Sequence, residues 1–351
     1  MYRACGSFSE THIDDMRLLR TRWQWLALIS FGAVLLLFPS LFSSAWVRFA
    51  TVTGITIIAV LGLQILVGIT GQISVGQSAF MGVGGYCAAV AATTLNLPFP
   101  LPIFVGAFSA ALVGLLFGLP AARIKGFYLA LTTLAAQFIF TFVVVRLPND
   151  WFGGAAGISV PAPVIFGQSI DTTVGFYFLT LPFTIAAVFC ALFLLRSRVG
   201  RALMAVRDND LAAEVTGINL TYYKVLAFGI ASFFAGTAGA LLAYENHLVH
   251  FEQFTLFESI WFLGMLIVGG MGSILGAVLG TIALRLLQEF LTIMGPNLVE
   301  ILPGARYDIA FPMINVVLGS TIILFLIYQP NGLAHIYRKL ERFFRIWPFP
   351  Y

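Results

Sequence analysis

The sequence predicts an all-α polytopic membrane protein of about ten spans, with both termini on the cytoplasmic side. Three observations carry this. The 351-residue chain is 60% hydrophobic and only 10% charged, with a mean hydropathy of +0.95. An ordinary soluble domain carries about 25% charge, so the solvent for most of this chain is lipid. Second, apolar runs near the roughly 20 residues needed to cross a bilayer recur along its length. Third, the basic residues are distributed unequally between alternate connections.

Taken in order, the apolar runs cover 25–42, 46–67, 79–94, 101–119, 124–145, 176–195, 225–244, 260–268, 275–291 and 309–328. The eighth is short and leans on its glycine-rich flank or a tilt. None alternates apolar and polar residues, which disfavours a β-barrel. A cytoplasmic tail is expected over 1–24, a transmembrane domain over 25–328 and a second cytoplasmic tail over 329–351. The first tail has polar and charged residues through Arg22 and no small-residue cleavage site, so it reads as a retained anchor rather than a signal peptide.

With ten spans and both ends inside, the inner connections hold Arg3, Arg17, Arg20, Arg22, Arg123, Lys125, Arg196, Arg198, Arg201, Arg207, Lys224, Arg338, Lys339, Arg342 and Arg345, which are 15 of the 19 Lys and Arg residues. The outer connections hold Arg48, Arg146 and Arg306, and Arg285 lies within a span. The positive-inside rule therefore selects this orientation. The net charge of +4 is no nucleic-acid signal, because the basic residues sit at span ends. Cys5, Cys87 and Cys190 are scattered and give neither a disulfide framework nor metal spacing. His247 and His250, in the outer connection from Glu245 to Glu258, read as surface residues, because third and fourth ligands are lacking. No metal site and no catalytic cluster is expected.

Two segments break the apolar pattern. In 68–78, glycines 68, 71 and 76 alternate with uncharged polar residues. Two readings stand: a helix break beside a solute pathway, since open backbone at membrane depth must be buried in protein or line a wet cavity, or a short cytoplasmic turn. On the first reading Gln64, Gln72, Ser74 and Gln77 line or border the pathway. The second segment, 196–224, holds five of the 19 basic residues and three of the 15 acids. Asp208, Asn209 and Asp210 can end one helix and cap the next, and Gly217 can take the left-handed conformation that closes it. Leu203, Val206, Leu211 and Val215 would face a partner groove, with Arg207, Asp208 and Glu214 at its edge. An amphipathic linker on the membrane surface is the other reading. Intramembrane ionisable groups are few; Arg285 and Glu289 are spaced i,i+4 and pair with each other or with headgroups. Glycines 272, 276 and 280 form a small-residue ridge, for packing within the chain or against another subunit.

Six stretches in order resemble the membrane subunits of the branched-chain amino acid ABC importer family, particularly the longer of its two permease types. They are GITGQISVGQSAFMG at 68–82, GLPAARIKGFYLAL at 118–131, GGAAG at 153–157, GRALMAVRDND at 200–210, FFAGTAGAL at 233–241 and GGMGS at 269–273. The resemblance runs from about Trp25 to the QPNGL at 329–333. The sequence departs from the pattern at Gln77, where many members have His, and before GGAAG, where a Thr is missing. The resemblance implies a bacterial inner-membrane machine of two different permeases, two ATP-binding subunits and an extracytoplasmic solute-binding protein. This chain would form half the solute pathway. No cofactor is expected in this chain, which has no phosphate-binding GxxxxGK[ST] loop; ATP and Mg belong to the partner ATPase. Residues 212–214 with Gly217 match the short helix that docks on that ATPase. The implied solute is a branched-chain or related amino acid; the alternative is a permease or passive channel for urea or another small neutral amide. A membrane-bound enzyme is the remaining class.

Overall fold

The computed structural model describes residues 22–346, apart from 125, 147–152, 166, 302–306 and 330–331. The tail expected over 1–24 therefore lies almost wholly outside the described residues.

Every apolar run becomes a helix. α1 is Arg22–Leu41. α2 is Ser44–Leu63, and it runs on into a wider π-helical turn, Gln64–Ile69. α3 is Gln77–Thr93, α4 Leu101–Ala121 and α5 Phe127–Arg146. α6 is Thr173–Arg196. The charged segment forms α7 (Arg198–Asp208) and α8 (Asp210–Val215). α9 is Leu220–Asn246, α10 Leu256–Gly269, α11 Ile274–Ile301 and α12 Tyr307–Tyr328. α13, Leu333–Ile346, lies in what the sequence presented only as a tail.

Among the described residues, seven helical stretches are long and apolar enough to cross a membrane, or eight if the bent pair Asn315–Tyr328 and Leu333–Leu340 counts as one span. α1 and α3 fall short for different reasons. The apolar part of α1 within this description is Ile29–Leu41. α3 has only 17 residues, because the chain before it is not helical.

α2 and α9 form the centre. α2 is buried nearly all round from Ile55 to Ile69, which is why its sequence is apolar on every face. α9 packs along α2, α3 and α4. Small residues set these spacings. A Cβ added to Gly84 of α3 would stand 2.2 Å from the Cα of Gly236 on α9. Gly276 and Gly280 of the expected ridge press α11 onto Gly269 of α10, so these two are used within the chain, while Gly272 faces Arg207. α1 and α6 are peripheral and turn Leu26, Phe31, Leu41, Phe178 and Phe193 outward, as lipid-facing helices do. The Tyr177 hydroxyl ties the two together by donating to the Leu35 carbonyl at 2.9 Å.

Among the described residues, strand structure is confined to the end of the bundle away from α7. β1 (Ile158–Ser159) pairs antiparallel with β4 (Leu248–Val249), and β2 (Val164–Ile165) with β3 (Gln168–Ser169). Gly157 precedes β1 at φ +79°, and a Cβ there would lie 2.4 Å from the Val249 carbonyl oxygen. At this end Arg48 also faces Glu245 at 3.5 Å.

Candidate solute pathway and coupling surface

Six π-helical residues end α2 because the main chain there finds unusual partners. The Thr70 amide donates to the Ile65 carbonyl at 3.2 Å and the Thr70 hydroxyl donates to the same oxygen at 2.9 Å. The Gln64 side chain, wholly buried, faces the amides of Gly272 and Ser273, which only its oxygen can accept from. From Gly71 to Gly76 the chain is irregular, and α3 then begins at Gln77.

Much of the 68–78 segment is thus buried in protein. Gln72, Ser74 and Gln77 are all buried, while Gly71 and Ile73 reach the surface. The Val75 amide donates to the Thr133 hydroxyl of α5 at 3.0 Å. The Gln77 carboxamide donates to the carbonyls of Ala59 on α2 at 3.0 Å and Ala231 on α9 at 3.5 Å. The Ser78 amide donates to Ser259 of α10 at 2.9 Å, and that serine donates to Gln137 of α5 at 3.4 Å. Five helices therefore meet around a neutral polar seam. Its irregular backbone is housed in protein, as membrane depth requires. Among the described residues, no donor reaches the side-chain oxygens of Gln72 or Gln77.

Ala59 lies ten residues before the end of the π turn, so Gln77 sits roughly 15 Å deeper than that end at 1.5 Å per residue. Gln72 and Ser74 stay closer to the charged segment. The break therefore climbs from the α7 side toward the membrane interior.

Caps shape the charged segment as its sequence suggests. The Ser197 hydroxyl accepts from the Gly200 amide at 3.2 Å and starts α7. Asn209 ends α7, and its side chain accepts from the amides of Leu211 and Ala212 at 3.0 and 3.2 Å, starting α8. Gly217 closes α8 at φ +86°. Among the described residues, nothing lies within 4 Å of a Cβ placed there.

The apolar residues of this segment divide in a way that corrects the expected common groove. Leu203 and Val206 are buried inside this chain, where α7 packs back on it. Leu211 and Val215 project, 73% and 88% exposed. Asp208 and Glu214 are exposed beside them. Arg207 points the other way: its guanidinium donates to the carbonyl of Gly68 at the π turn, and its stem packs on Gly71. A second link comes from Asp210, which pairs with the buried Lys224 of α9 at 2.9 Å. The Lys224 carbonyl accepts from Gln72 at 3.4 Å. Both links join the charged segment to the helix break.

Sequence reasoning missed Lys224, Asp210, Thr133, Gln137 and Ser259. Except for Asp210, the signal for them was a polar side chain inside or at the edge of an apolar run, which in lipid is expensive and marks a site or a partner. Arg285 interacts with the charges of Glu258 and of Glu289, its expected neighbour, and makes a further contact. It reaches across to α2, donating to the Thr56 hydroxyl at 2.7 Å.

The family model described as the permease component of branched-chain amino acid transport systems matches residues 45–326. The chain belongs to that permease family. The permease is 29% identical to the high-affinity branched-chain amino acid transport system permease protein LivM of Escherichia coli K12, over 90% of this chain and 76% of that protein. It is 30% identical, with the same coverage, to the LivM protein of Salmonella typhimurium LT2. Similarity extends to the autoinducer 2 import system permease protein LsrC of Salmonella paratyphi B, at 25% identity over 74% of this chain and 76% of that protein. No solved structure matches the permease significantly. Membership makes it an ABC-type membrane transport subunit that works within a multi-subunit complex.

Proposed function

We propose that this permease forms half of the solute pathway of an ATP-driven importer for branched-chain or related amino acids in a bacterial inner membrane. Its partners are a second homologous permease, two ATP-binding subunits that carry ATP and Mg, and an extracytoplasmic solute-binding protein. The permease crosses the membrane ten times with both ends in the cytoplasm, and all ten apolar runs being helical supports that count.

The observation that carries this reading is the pair of links between the exposed α7–α8 surface and the helix break. Arg207 holds Gly68, and the Asp210–Lys224 pair holds the backbone that Gln72 touches. An ATPase docked on Leu211 and Val215 would act directly on the backbone that borders the pathway. Gln64, Gln72, Ser74 and Gln77 supply neutral hydrogen-bonding groups. Such groups recognise a zwitterion without the fixed charge that would trap it. Two of them present oxygens to which no protein donor is committed, suited to an ammonium or amide N–H. The solute class rests on the LivM relatives, and the similarity to LsrC supports the view that this family's scaffold carries more than one solute.

In proteoliposomes holding the whole complex, leucine uptake is expected to require ATP and the binding protein. Gln72→Ala and Gln77→Ala are expected to change the preference between leucine and shorter amino acids, or to slow uptake tenfold or more. Unchanged rate and preference in both variants would remove the segment from the pathway. Flux of urea that persists without ATP would replace the importer by a channel, which the uncharged seam also suits. Orientation is checked by labelling: a cysteine at 252 should react with an impermeant reagent from outside the cell and one at 208 should not.

A further inference from the structure

The last described helix, α13, carries a two-faced sequence pattern along its length, and Tyr337 and Leu340 on its apolar side are exposed. At 100° per residue, Leu333, Ile336, Tyr337, Leu340, Phe343 and Phe344 fall within about 120° of arc. Arg338, Lys339, Arg342 and Arg345 occupy the remaining arc with Glu341, four cations against one anion.

Packing fixes where this helix starts. Gly332 takes φ +73°, and a Cβ on it would lie 2.4 Å from the Cα of Gly270. Ala334 is buried against Gly276 at the start of α11. The same 270–273 loop meets Gln64 and Arg207, so α13 leaves the bundle on the face that carries α7 and α8. Its axis turns 49° from that of α12. Past Ala334 the helix parts from the bundle, and Tyr337 and Leu340 are half exposed. Ile327 and Tyr328, at the end of the apolar α12, are exposed as well.

We propose that α13 is an interfacial helix seated in the adjoining bilayer leaflet, with its apolar face in the acyl region and its cations on acidic lipid headgroups. A basic face opposite an aromatic and aliphatic one, immediately after a span, is the composition that lies in a membrane surface. The charge excess selects anionic headgroups over zwitterionic ones.

The test uses the full-length permease in nanodiscs, with Cys5, Cys87 and Cys190 replaced and a single spin label at 339 or 340. In mixed phosphatidylglycerol–phosphatidylcholine discs, the label at 340 is expected to relax faster with oxygen than with a water-soluble nickel chelate, and the label at 339 the reverse. In pure phosphatidylcholine the contrast at 340 should fall. Combined Arg338→Glu and Arg342→Glu substitutions in mixed discs should lower it too. Each cation lost reduces the seated-to-free ratio roughly fivefold. Equal nickel access at 339 and 340 in both discs would overturn the proposal, as would a contrast indifferent to lipid charge. Shielding of 340 that arises only when the ATP-binding subunits are added would assign the face to a protein groove instead.

Discussion

Leu211→Asp is expected to abolish ATP-driven uptake while the permease still reaches the membrane at its normal level. The residue makes no core contribution, being 73% exposed. Its loss therefore falls on whatever α8 docks against. Placing a carboxylate in an apolar partner groove costs several kcal/mol unless it is paired. That is enough to break a docked helix of six residues. Gly217→Val should act by a different route. Its φ of +86° is one that a β-branched residue resists, and the space around it within this chain is open. The strain is of order 1–2 kcal/mol, and it changes the exit angle of α8 rather than its surface. Co-purification of the ATP-binding subunits reads both variants. Normal co-purification and uptake in Leu211→Asp would move the docking surface elsewhere on the charged segment.

Arg207→Ala is expected to separate docking from transport. Its guanidinium serves the Gly68 carbonyl, so the ATP-binding subunits should still co-purify. Coupled uptake should fall at least tenfold, because one of the two links to the helix break is gone and a carbonyl at the π turn is left unpaired. A charge-assisted bond of this kind contributes about 1.5–3 kcal/mol when sheltered, toward the lower end for a residue with exposed surface. Arg207→Lys should restore part of the activity, since an ammonium keeps the charge and loses the fork. Wild-type uptake in Arg207→Ala would show that the Asp210–Lys224 link suffices alone.

These two residues also show what was legible in the sequence. The helices were, because lipid leaves little choice of secondary structure and apolar runs of sufficient length mark them. The caps at Asn209 and Gly217 were legible because they are local. The burial of Leu203 and Val206 against the exposure of Leu211 and Val215 was not, since amphipathicity in a short helix does not say which neighbour takes the apolar side. Arg207 was read as an outward anchor, and only the tertiary fold brings Gly68, 139 positions away, beneath it. The π turn was invisible, because Gln64–Ile69 reads as a continuation of an apolar helix. α13 read as part of a tail because it is not a long apolar run, although its two-faced pattern is present in the letters.

The length of α9 has a mechanical consequence. Its 27 residues make a rod roughly 40 Å long. At one end Lys224 holds Asp210 of α8, and at the other the strand β4 pairs with β1. A rod of that length, tilted by about 5°, sweeps its tip through about 3.5 Å, the breadth of a methyl group. Glycine contacts with α3 and α4 leave it no slack to bend sideways on its own. In the proposed importer, opening on one face of the membrane and closing on the other would then be a single movement, and a leak open at both ends would require breaking α9 or unseating one of its ends.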